Sequence, residues 1–128
     1  MPGYQHGTAL TLGMFVLGDQ GSFDSLKKYA FPEKGYKVVV GNKCDRPRQV
    51  DGSEAVAYAE RIDAVGYVEV SAKDKANTEL LKELVVNLPA YAFMPDDQPR
   101  LRYEFTRLFE KMGPSCYPNP KFDWRMNP

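Results

Sequence analysis

The sequence predicts an α/β fold with about three parallel strands flanked by helices and a helical C-terminal extension. Three observations carry this. Short apolar runs at residues 10–17, 37–40 and 67–70 alternate with helical patterns, as βαβ units require. Val38-Val39-Val40 is apolar without a break, which suits a parallel strand covered on both faces. Residues 99–112 then place Leu101, Phe105, Leu108, Phe109 and Met112 at helical spacing, beyond the last strand.

Each element has local grounds. The run 10–17 (LTLGMFVL) reads as a buried strand stopped by Gly18-Asp19-Gln20-Gly21. Ser22 is the expected cap of a short helix that turns Phe23, Leu26 and Ala30 inward and closes at Pro32 and Gly35. After the second strand, Asp51 and Glu54 have capping-box spacing, followed by Ala55, Tyr58, Ala59 and Ile62 on one face. After the third strand, Asn77 is the expected cap of a helix burying Leu80, Leu81, Leu84 and Val85. Seven of the ten prolines lie from Pro89 onward, so the expected division is a domain over 1–90 and a Pro-rich extension over 91–128. Gly113-Pro114 stops the helix of that extension, and an irregular stretch is expected after it.

Composition removes several function classes. Lys plus Arg and Asp plus Glu are both 17, so no net charge draws the chain to nucleic acid or an acidic membrane. Two cysteines, Cys44 and Cys116, are too few for a disulfide framework and read as free thiols in a reducing compartment. The start lacks a basic signal-peptide region, and no apolar run is long enough to cross a bilayer. Arg125-Met126-Asn127-Pro128 holds no cysteine for a prenyl anchor. The expectation is a cytoplasmic protein without nucleic-acid partners or a lipid anchor.

Two motifs carry chemistry. Asn42-Lys43-Cys44-Asp45 follows the second apolar run, and Ser71-Ala72-Lys73 follows the third. A single carboxylate, here Asp45, can accept two adjacent N–H donors together. Both motifs fall at carboxyl ends of strands, where open α/β sheets bind ligands.

An N-K-x-D and an S-A-K at this spacing resemble the guanine-reading loops of small GTPases of the Ras superfamily. Ser22-Phe23-Asp24-Ser25-Leu26 and Tyr67-Val68-Glu69-Val70 add to the resemblance, in a Ras and Rho style. It covers residues 10–88 and implies a partial P-loop-NTPase-like G domain, a three-layer fold limited to the guanine-reading C-terminal half. It further implies that the two donors on Asp45 are the N1–H and N2 amino groups of guanine, a pair adenine lacks. In the same way Asn42 holds neighbouring loops, the Lys43 stem lies over the base, and the Ala72 N–H donates to guanine O6. Ser71 and Lys73 brace the second loop, and Cys44 has no role.

The chain departs from that family in its phosphate chemistry. No G-x-x-x-x-G-K-[ST] occurs, and Asp63-Ala64-Val65-Gly66 matches D-x-x-G only by its letters, since it follows Asp45. No catalytic residue or metal ligand can be assigned. The expectation is GTP or GDP bound weakly through its base, with Mg²⁺ only if a missing half supplies the site. The alternatives are a nucleotide-free pseudo-GTPase acting as an interaction module, or a truncated gene product. The strand at 10–17 is expected to expose an edge to self-association or a protein partner.

Overall fold

The computed structural model describes residues 10–32, 35–43, 46–71, 73, 75–92 and 99–122. The elements run β1 (Leu10–Val16), α1 (Gln20–Lys27), β2 (Tyr36–Lys43), α2 (Gly52–Arg61), β3 (Gly66–Ser71), α3 (Lys75–Ala92), α4 (Pro99–Met112) and β4 (Tyr117–Pro118). The sheet order is β1-β2-β3-β4. The first three strands are parallel; β4 adds antiparallel to the outer edge of β3, with Tyr67 opposite Tyr117. The fold is therefore α/β with a mixed four-stranded sheet, one short strand more than the pattern of apolar runs predicts.

The period-two alternation of the strands divides the interior into two clusters. Val39 and Tyr67 face one side, with Phe15, Phe23 and Leu26 from the first third of the chain and Ala55, Tyr58 and Ala59 from α2. Val38, Val40, Val68 and Val70 face the other, under Leu81, Leu84 and Leu88 of α3 and Phe105, Leu108, Phe109 and Met112 of α4. Helices thus cover both faces of the sheet. Each of these α4 side chains contributes about 1.5–3 kcal/mol by burial, so the extension completes the core.

Three local expectations change. The cap of α1 is Asp19, whose carboxylate accepts from the Ser22 N–H at 3.3 Å. Ser22 instead receives the Val16 N–H on its hydroxyl at 2.9 Å and donates to the Asp19 carbonyl at 2.8 Å. It therefore ties the helix to β1, while Ala30 lies exposed beyond the helix end. Asn77 sits inside α3, and its side-chain amide donates to the carbonyls of Glu69 (3.0 Å) and Met112 (2.9 Å). That amide pins β3, α3 and α4 together. Asp51 does cap α2, accepting from Ser53 N–H at 3.0 Å.

Helix α3 runs through Pro89 to Ala92. Gly113, at φ 105°, ends α4 in the left-handed region that favours glycine. The stretch after it is partly ordered by pairing: Asn119 N–H donates to Val65 O at 2.9 Å, and its side-chain amide donates to Ala64 O at 2.8 Å. Phe122 and Cys116 are buried there. Pro118 is tolerated because it lies on an edge strand.

Candidate functional site

The described strand residues of the two motifs, Asn42, Lys43 and Ser71, lie side by side at the carboxyl end of the sheet. β2 extends through Lys43, so Asn42 and Lys43 are its last residues rather than the first of a loop. Asn42 stands between Val16 of β1 and Val70 of β3, and Lys43 is directly opposite Ser71. Asn42 and Ser71 are half-buried, while Lys43 and Lys73 are exposed. Ser71 accepts the Lys73 N–H on its hydroxyl at 3.2 Å, which closes a tight turn after β3. Cys44, Asp45 and Ala72 lie outside the described residues.

The segment after the first motif folds back over the end of β1. Leu17 O accepts N–H groups from Gln49 (2.7 Å) and Val50 (3.1 Å), and Leu17 N–H donates to Asn42 O at 2.9 Å. Gln49 also accepts the Gln20 N–H on its side-chain oxygen at 2.8 Å. A shallow cavity of about 400 Å³ opens along Arg48, Gln49, Val50 and Asp51.

Beneath the motifs lies a carboxylate that motif reading passes over. The Glu69 side chain is 0% exposed, yet it sits on β3 two residues before Ser71. Arg48 forks onto it, with N···O distances of 2.5 and 3.4 Å. Tyr67 donates its hydroxyl to the same carboxylate at 2.6 Å, and the Lys43 ammonium lies 3.7 Å away. Burial, then the neighbouring carboxylate, push the Tyr67 phenol well above its ordinary range. The Glu69 hydrogen bond likewise raises the Arg48 guanidinium. The signal for this cluster is present in the sequence: a single acid inside an apolar strand must find a cation.

Asp63-Ala64-Val65-Gly66 lies at the amino end of β3, away from both motifs, with Ala64 and Val65 buried. Among the described residues no group of three or more His, Cys, Asp or Glu could hold a metal ion. No described helix is long and apolar enough to cross a membrane.

The mixed α/β sheet flanked by helices, with Asn42 and Lys43 ending β2 and Ser71 ending β3, has the architecture of a partial P-loop GTPase fold. The Ras family model matches residues 2–89, and the chain belongs to the Ras family. Comparison with curated proteins and with solved structures finds no match.

Proposed function

We propose that this chain binds guanine nucleotides, GTP or GDP, through the base. The observation that supports it best is the register of Lys43 opposite Ser71, which puts Asn42-Lys43 and Ser71 on adjacent strand ends. Asp45 accepts the two guanine donors, Lys43 lies over the ring, Ala72 donates to O6, and Asn42, Ser71 and Lys73 hold the two segments. The stretch corresponds to the guanine-reading half of a G domain, in a cytoplasmic signalling role. With the base supplying the contacts, affinity is weak, about millimolar to high micromolar.

Titration with a fluorescent guanine nucleotide, with and without Mg²⁺, tests the reading. Asp45→Asn sharpens it, since an amide donates to the 2-oxo group of xanthine. Preference should move from guanine toward xanthine nucleotides. An unchanged ratio means that Asp45 does not read the base.

A second reading is an interaction module. It is favoured by Leu12 and Met14, 40% and 54% exposed on β1. Among the described residues β1 pairs only with β2. A second copy pairing along β1 would cover both side chains.

A further inference from the structure

Arg48 and Tyr67 between them already satisfy Glu69. Arg48 supplies a two-nitrogen fork, and Tyr67 supplies a hydroxyl at 2.6 Å. A buried carboxylate so partnered has no need of a second cation. Lys43 nevertheless brings its ammonium to 3.7 Å from Glu69 while its side chain stays 52% exposed. Lys43 belongs to the first motif and Glu69 to the strand that ends in the second, so one carboxylate grips both segments.

The geometry points to Glu69 as a positioning residue that tethers the Lys43 ammonium and so sets the lysine stem over the base site before nucleotide arrives. This inference rests on the guanine-binding reading above. A lysine side chain is rich in rotamers, and immobilising one on binding weakens affinity. A tether present in the empty protein removes most of that loss beforehand. Arg48 and Tyr67 act one step further back: they hold Glu69 against β3 so that the tether has a fixed end. Gly41 permits this, because the Tyr67 hydroxyl stands over its backbone.

The test is a double-mutant cycle on guanine-nucleotide affinity in the full chain, read with fluorescent GDP. Glu69→Gln keeps the shape of the side chain and removes the charge. Lys43→Met keeps an apolar stem and removes the ammonium. Each alone should weaken binding about 2- to 10-fold. In the Lys43→Met background, Glu69→Gln should have no further effect on affinity, although it still lowers the melting temperature through Arg48 and Tyr67. Tyr58→Phe, which removes a hydroxyl bonded to the Leu26 carbonyl at 3.0 Å and makes no contact with Glu69, Arg48 or Lys43, serves as the control for stability loss alone.

If Glu69→Gln does not fold, Glu69→Asp replaces it. That variant keeps the charge for Arg48 and withdraws the carboxylate from a lysine contact that is already long. Additive effects on affinity overturn the tether while leaving base binding intact. Absence of guanine binding by the natural chain overturns the base-site reading and the tether together.

Discussion

The Tyr67 hydroxyl stands over the backbone of Gly41, so near that a methyl group on Gly41 would lie 2.6 Å from it. The hydroxyl cannot retreat freely, because it also donates to Glu69. Phe15 and Leu17 close the same space at 3.1 and 3.2 Å. Gly41→Ala should therefore cost about 1–3 kcal/mol of stability, read by urea unfolding. Adding Tyr67→Phe removes the clashing oxygen, so the double variant should be more stable than the sum of the single losses. Simple additivity would show that the two residues do not compete for the space.

Asn77 offers a second test. Its amide satisfies carbonyls from β3 and α4 at once. Asn77→Ala leaves both without that donor, and a loss of about 1–3 kcal/mol is expected. Asn77→Asp should be at least as damaging at neutral pH, because it turns an acceptor toward two acceptors. Equilibrium unfolding of the two variants decides it. A neutral effect of both would remove Asn77 as the junction of β3, α3 and α4.

Stability should fall on the alkaline side. Burial raises the Cys116 thiol above its ordinary 9.0, and burial with the Glu69 carboxylate raises the Tyr67 phenol above its ordinary 10.0. In the unfolded chain both groups release their protons at ordinary values, while the fold keeps them protonated. Their contribution is thus complete below about pH 9 and is lost as pH rises through the folded values. Thermal midpoints measured from pH 7 to 10.5 should be level and then drop. Cys116→Ala should flatten the first part of the drop. The folded thiol should also react with iodoacetamide more slowly than the unfolded one.

The β1 edge carries no charged side chain to discourage pairing. Light scattering on a concentration series should show the mass rising. Leu12→Lys or Met14→Lys should keep the chain monomeric without lowering its melting temperature, since both side chains already face solvent. A natural chain that stays monomeric throughout removes the interaction-module reading.

The sequence makes the local parts of the fold legible. Val38-Val39-Val40, the face of Tyr58 and Ala59, and the Leu81 and Leu84 stripe all state their structure within a few residues. Ser22 does not, because Asp19 three residues before it is an equally good cap, and Asn77 and β4 do not, because they have partners far along the chain. Asn77 takes one of its two carbonyl partners from Met112, 35 residues on. Tyr117 becomes a strand only because Tyr67 has a free edge beside it. The candidate site divides in the same way. Asn42, Lys43 and Ser71 are readable as motifs, and the register places them together. Arg48 and Glu69 are 21 positions apart, and only the folded sheet shows that they share one buried charge. Asp45 and Ala72 lie outside the described residues, so the roles given to them rest on the motif.

The strands stand in the sheet in the order in which they occur in the chain. A polypeptide leaving the ribosome can thus assemble β1, β2 and β3 one after another, each beside the strand made just before it. The opposite holds for the face bearing Tyr36, Val38, Val40 and Val68. Much of its cover comes from Phe105, Leu108, Phe109 and Phe122, made dozens of residues later. Between those moments the nascent sheet presents one wet apolar side, and that interval is when it most needs a chaperone.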